Sequence, residues 1–563
     1  MNFIVLSKLG VVVFLVWTML VLELGAEEKT NSLIPRLPEK GMPEFEHPPT
    51  DWKIRHNNFR YSPDGRMLAT ARTDGSIGVW DSNSGKRIFY QEKVWKTPFV
   101  VNFTLDGKEI FSAGDSGEIA FWNLKSGEKI RTLKGHKGSI FCCEVFPDRG
   151  WMLSGGEDGN IVVWDVKTWK QVSLLLGSGG YITAIRILPR SGLLLSGGFR
   201  AKSVFTAQKQ YSGANSDYVR VWNLNTQKII ETLPIEGTHI SLLPNGYQVL
   251  HGSWGMDVRR DADGVSVGSY NSVGIWDLQL GAEIRVWNDR GWEVGISPDG
   301  RWIGSCSGDC KYNIRGWPEH AGGQQSLQYG ICLTEPETGI DFLRSKRNSG
   351  IRTIVFGKQN DRLAYPLVDS QTYIESPIQQ LFTPELDPYC PMEFDKAWRA
   401  LACREFAPRD GQDSVLPSIS DLRLAYWSLI TEGDKSVKKI ETMLVGGVIL
   451  NSKKPRKSEL ITNSEDFFDA KKIYIEAGWE AVPILREIIE AHHDVKVKKL
   501  ARDLLLQKFQ QGMSSDEVQA LRGVRILKSI GTTKAMAALV NLRKQTSNLY
   551  FLNEIDTLLK KQL

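Results

Sequence analysis

The sequence predicts an all-β repeat domain followed by an all-α region, behind an N-terminal export segment. Three observations carry this. Two short markers recur seven times between residues 51 and 390, apolar periodicity becomes helical beyond Pro391, and residues 1–26 have the layout of a secretory signal.

Size and composition set the outer limits. The 563 residues exceed one ordinary domain. A hydrophobic share of 41% with 24% charged residues suits a folded globular chain and excludes a disordered one. The net charge of +5, from 70 basic and 65 acidic residues, is too near balance to argue for nucleic acid. Seven cysteines cannot form a disulfide scaffold at this length, and the odd number leaves at least one thiol unpaired. The 52 glycines and 18 tryptophans fit many short strands joined by tight turns.

Leu9 to Leu22 is an apolar stretch interrupted only by Thr18 and preceded by Lys8 and the amino terminus. Gly25-Ala26 then gives way to Glu27, Glu28 and Lys29. This describes a secretory signal cut after Ala26. Left uncut, the stretch from Phe3 to Leu22 is just long enough to span a bilayer, so the body is exported in either case and the membrane is involved only if cleavage fails. Residues 27–50 read as a Pro- and Glu-rich linker.

The repeats follow, over residues 51–390. Turn pairs stand at Asp64-Gly65, Asp106-Gly107, Ser191-Gly192, Asn245-Gly246 and Asp299-Gly300, with looser versions at Asp148-Arg149-Gly150 and Asn360-Asp361. Each lies between two apolar stretches, as a tight hairpin requires. The second marker is Val79-Trp80-Asp81, Phe121-Trp122-Asn123, Val163-Trp164-Asp165, Val221-Trp222-Asn223 and Ile275-Trp276-Asp277, degenerating to Leu333-Thr334-Glu335 and Ile374-Glu375-Ser376.

These residues resemble WD-repeat β-propeller blades over roughly Asp51 to Pro384, and the resemblance implies a seven-bladed propeller. Blade three matches best, from Gly135-His136 through Ser154 and Asp158 to Trp164-Asp165. The resemblance implies that His136, Ser154, Asp158 and Trp164 form a hydrogen-bonded structural tetrad, and this is preferred to a catalytic triad. A first strand near Trp52 to Ile54 would pair with the last blade and close the ring.

The interval from turn to tryptophan is the same in blades one to three (64→80, 106→122, 148→164). It roughly doubles in blades four, five and six (191→222, 245→276, 299→334), then falls back to one residue less than its first length in the seventh (360→375). The reverse interval, from tryptophan to the next turn, is nearly constant throughout, so the extra length falls in one hairpin of three consecutive blades. In the WD-repeat arrangement that hairpin joins the second and third strands and opens on a face where many members bind partners. The insertions carry Arg200, Tyr211, Trp254, Arg259, Arg260, Tyr270, Tyr312, Arg315 and Trp317, aromatics and arginines of the kind that anchor protein interfaces. The plainer reading is that they cover the channel mouth or pack on the C-terminal region.

Residues 391–563 read as helical. Asp494 caps a helix that Gly512 closes, Ser514 and Glu517 form a capping box, and Gly531 ends the next helix. Paired amphipathic helices resemble HEAT-type repeats. Segments such as Phe394-Asp395-Lys396-Ala397-Trp398-Arg399-Ala400-Leu401 and Arg525-Ile526-Leu527-Lys528-Ser529-Ile530-Gly531-Thr532 resemble a bacterial family of exported propeller proteins with helical tails. That resemblance implies a periplasmic or outward-facing scaffold and no reaction. Lysines and arginines outnumber acids in residues 452–563, and that local excess accounts for the whole-chain +5.

Catalytic and metal motifs are missing: no nucleophile elbow, phosphate loop, dinucleotide fingerprint or His-Glu-x-x-His occurs. Cys306 and Cys310 lack a second pair for zinc, though either could bridge to Cys332. Cys142 and Cys143 are read as one core and one surface residue. The expectation is an exported, non-enzymatic interaction scaffold without metal or cofactor and without nucleic acid. It grips a protein partner with the long hairpins, and its tail meets a second partner or copy. The alternative is a hydrolase or glycan-active enzyme at the channel mouth, using Asp257, Asp261, Asp263 or His320.

Overall fold

The computed structural model describes residues 56–560, except 73, 178–179, 189–191, 200–217, 236, 238, 262–263, 288–289, 308–328, 348–353, 358–362, 367–371, 376–391, 403–418, 447–473 and 475–477. The export segment, the linker and the closing strand expected near Trp52 to Ile54 all lie outside the described residues. Among the described residues no helix is long and apolar enough to cross a membrane.

Each repeat folds as an antiparallel sheet with its strands in chain order. Six such four-stranded blades span residues 56–91, 98–134, 140–175, 181–233, 239–287 and 290–347. The propeller thus has six blades, not the expected seven. In the seventh place the described residues give only a three-stranded sheet, Val355–Phe356, Leu363–Pro366 and Thr372–Glu375. Its third strand, Thr372–Glu375, ends where the described residues break off, and residues 376–391, where a fourth strand would fall, lie outside them.

The markers have physical roles. Trp80, Trp122, Trp164, Trp222 and Trp276 are all buried on third strands. The Asp or Asn that follows caps the next turn: Asp81 Oδ1 accepts from the amides of Asn83 and Ser84, and Asn223 Oδ1 from those of Asn225 and Thr226. The looser turn of blade three is a single 3-10 turn, Pro147–Arg149, closed by Gly150 at φ 63°.

The first strands of successive blades contact one another in turn, and the strand Val355–Phe356 contacts the first strand His56–Tyr61, so they form an inner ring. Cores lie between blades: Phe111 and Phe121 of blade two pack with Ile140, Cys143, Met152 and Trp164 of blade three. Inner strands are therefore covered on both faces. This corrects the reading of Cys142 and Cys143, which are both buried free thiols; Cys332 is buried as well.

The described part of the C-terminal region is helical: α1 (Phe394–Ala400), α2 (Ile419–Thr431), α3 (Asp434–Gly446), α4 (Ala481–Ala491), α5 (Val495–Gln511), α6 (Ser515–Ile530), α7 (Thr533–Gln545) and α8 (Leu549–Lys560). Asp494 accepts from the Lys496 amide at the start of α5, and the Ser514–Glu517 capping box opens α6. Glu517 also accepts from the Trp479 amide at 2.7 Å, tying the entry of α4 to that of α6. The packing does not stack consecutive pairs in a row. Helix α6 takes the centre, touching α2, α3, α7 and α8, and α3 packs on the distant α7. The reason lies in α6 itself, which buries Val518, Leu521, Val524, Ile526 and Leu527 around its circumference.

Candidate interaction surfaces

Every blade has two ends. At the turn end the first strand meets the second and the third meets the fourth; at the hairpin end the second meets the third. The helical region occupies the turn end of blades five and six. Trp302, Ile331 and Leu333 of blade six share one apolar cluster with Trp398, Leu422, Leu521 and Leu539 of the helices.

Three arginines fasten this contact. Arg486 of α4 donates from Nη2 to Asp277 Oδ2 at 2.6 Å and from Nη1 to Gln279 at 2.7 Å. Arg522 of α6 is fully buried and donates to Glu335 Oε2 at 2.9 Å and to the Leu401 carbonyl at 2.8 Å. Arg525 joins Glu337 at 2.6 Å and Glu554 of α8 at 2.8 Å. Asp277 and Glu335 are the turn-capping markers of blades five and six, recruited to hold another domain. Burial pushes the Glu335 carboxyl up, but the Arg522 and Arg525 guanidiniums and the Thr338 hydroxyl outweigh it and hold it below its ordinary value. For Glu337 burial wins and raises the carboxyl.

A cleft of about 390 Å³ runs along the seam, lined by Tyr247, Arg285, Trp479, Phe509, Tyr550 and Glu554 among others. Its rings pack on each other, with Trp479 edge-on to Phe509 at 5.3 Å and to Tyr550 at 5.5 Å. Its arginines are committed to carboxylates or, for Arg285, to the carbonyls of Glu337 and Thr338. The cleft is thus a domain seam.

In blade three, His136 Nε2 lies 2.8 Å from Ser154 Oγ, Trp164 Nε1 donates to the same oxygen at 2.9 Å, and His136 Nδ1 meets Asp158 at 3.0 Å. Ser154 is fully buried, so the hydroxyl is a structural node. Blade four keeps half of this, Trp222 Nε1 to Ser196 Oγ at 2.8 Å. The family model described as WD domain, G-beta repeat matches residues 46–81 and 127–165. The chain carries WD40 repeats. Comparison with curated proteins finds no match. WD40 propellers commonly mediate protein–protein interaction and are typically non-enzymatic scaffolds.

At the hairpin end of the WD40 blades, blade five shows what its insertion builds. Its second and third strands, Gln248–Asp261 and Gly264–Asp277, run 14 residues each in unbroken register from Gln248↔Asp277 to Asp261↔Gly264. The first strand stops pairing at Gly252 and the fourth at Val273. Beyond those points the described ribbon pairs only with itself. At about 3.3 Å per residue, the part of its first strand from Ser253 to Asp261 extends roughly 30 Å. Trp254, Arg259 and Arg260 lie on that strand, paired with Asn271, Ser266 and Val265, and Tyr270 is paired with Gly255. Arg200, Tyr211, Tyr312, Arg315 and Trp317 lie outside the described residues. Of the alternative acid–base set, Asp257 and Asp261 fall on the ribbon, while Asp263 and His320 lie outside. No metal-binding group of three or more His, Cys, Asp or Glu occurs among the described residues.

Sequence reasoning missed the docking arginines Arg486, Arg522 and Arg525. A signal was present: the degenerate marker of blade six keeps an acid, Glu335, where its tryptophan has gone.

Proposed function

We propose that this WD40 protein is an exported, non-enzymatic interaction scaffold that binds a protein partner through the long hairpins of blades four to six. The observation that carries the reading is the blade-five ribbon. It extends past the pairing of its own blade at the end opposite the docked helices. A two-stranded ribbon offers unpaired backbone edges to a partner strand. The export half of the reading rests on residues 1–26 alone.

The test compares affinity capture from envelope extract by the intact chain and by a version with all three hairpins trimmed to blade-three length. Loss of a specific partner on trimming is the expected result, and identical partner sets would end the hairpin assignment. Reporter fusions after residue 50 test export: activity confined to the cytoplasm contradicts it.

A further inference from the structure

The inner ring has a level at which each of the seven first strands contributes one residue. The residue of the first strand that pairs across to the partner of the position before the tryptophan marker is Arg60, Asn102, Glu144, Arg186, Ser241, Gly295 and Val355 in turn. All seven are half-buried. Arg60 of blade one reaches Glu144 of blade three at 3.0 Å, and Arg186 of blade four reaches the same oxygen, Glu144 Oε1, at 2.9 Å. Skipping blade two is possible only across the interior of a ring.

This level is electrically unbalanced. Two guanidiniums meet one carboxylate, and the other four residues carry no charge. Each arginine makes a single contact to Glu144, and both contacts fall on one oxygen. Arg60 gives its remaining Nη1 bond to the Phe59 carbonyl, and Arg186 uses Nη1 again for the Ile185 carbonyl. Neither guanidinium presents its paired fork to an acceptor among the described residues. A planar fork with two parallel donors is matched by an oxyanion, and reduced water access strengthens that attraction.

We infer that the axial channel binds an oxyanion, the carboxylate of an acidic side chain or a phosphate, between Arg60 and Arg186. Glu144 holds the two guanidiniums in place while the site is empty and opposes the incoming charge. The inference does not depend on the hairpin reading.

The experiment titrates the intact chain with N-acetyl-glutamate and, separately, with inorganic phosphate by calorimetry at constant ionic strength. Wild type is expected to bind at least one of them, with affinity falling as salt rises. Glu144→Gln should bind at least about 10-fold tighter and gain more in Tm from the ligand than wild type does, and Arg186→Gln should bind at least about 10-fold more weakly. The better probe identifies the source, an acidic side chain or a phosphorylated group. Unchanged affinity in Glu144→Gln with a native near-ultraviolet spectrum overturns the inference, as does absence of binding by both wild type and Glu144→Gln. Should Arg186→Gln lose its native spectrum, Arg60→Gln is read in its place. Should all variants unfold, the inference falls if phosphate raises the Tm of wild type no more than chloride of equal ionic strength.

Discussion

Replacing Arg522 with Met tests how the helical region is held. Arg522 is fully buried, and Glu335 is 1% exposed. Met fills similar volume but leaves the Glu335 carboxylate with Arg525 at 3.8 Å and the Thr338 hydroxyl at 2.6 Å. Removing one member of a buried pair costs about 3–5 kcal/mol, and these remaining contacts place the loss near the lower bound. The Leu401 carbonyl, losing a donor at 2.8 Å, adds about 1 kcal/mol. The expected loss is therefore about 4 kcal/mol. The double variant Arg522→Met/Glu335→Leu removes the stranded charge and should lose only about 1–2 kcal/mol, roughly 2–3 kcal/mol less than the single variant. Urea unfolding followed by the helical far-ultraviolet signal measures both, and limited proteolysis shows whether the tail is released. If single and double variants lose the same stability to within about 0.5 kcal/mol, the ion pair does not fasten the tail and the shared apolar cluster alone does.

Because the folded-state Glu335 carboxyl is held below its ordinary value, its contribution is complete above that value and lost as pH falls through the lowered one. Acid titration of tail release should therefore flatten in Glu335→Gln, and an unchanged acid limb would contradict the assignment. Ser154→Ala strands the Trp164 indole N–H and removes the partner of His136 Nε2, for an expected loss of about 2–4 kcal/mol in urea unfolding. Gly523 sits within α6, where Ala improves helix propensity by about 1 kcal/mol. A Cβ there would lie 2.9 Å from the Trp398 ring and 3.2 Å from Leu444, so Gly523→Ala should destabilise by about 1 kcal/mol net, as urea unfolding would show. Burial raises the Cys142 and Cys143 thiols, so residue-resolved alkylation should leave both unmodified until the chain unfolds.

The blades were legible because their causes are local. A turn glycine and a buried tryptophan recur at fixed spacing, and each acts within a short reach of itself, as do the caps at Asp494 and Ser514. Arg60, Glu144 and Arg186 precede the turn glycines Gly65, Gly150 and Gly192 by five or six residues, but the sequence reading did not single them out. What the linear pattern lacks is which of them meet.

Sequence alone thus determined the repeating sheets, their order, the helical tail and the blades that carry extra length. Only the tertiary structure decided that the described part of the seventh unit forms three strands, that both adjacent cysteines are buried, and that the tail closes on the turn ends of blades five and six. The physical reason is distance along the chain. Arg522 and Glu335 are separated by 187 residues, and Arg486 and Asp277 by 209. Their pairing depends on a ring that brings blades round and on helices that turn their arginines onto its turn ends, and neither leaves a periodic trace.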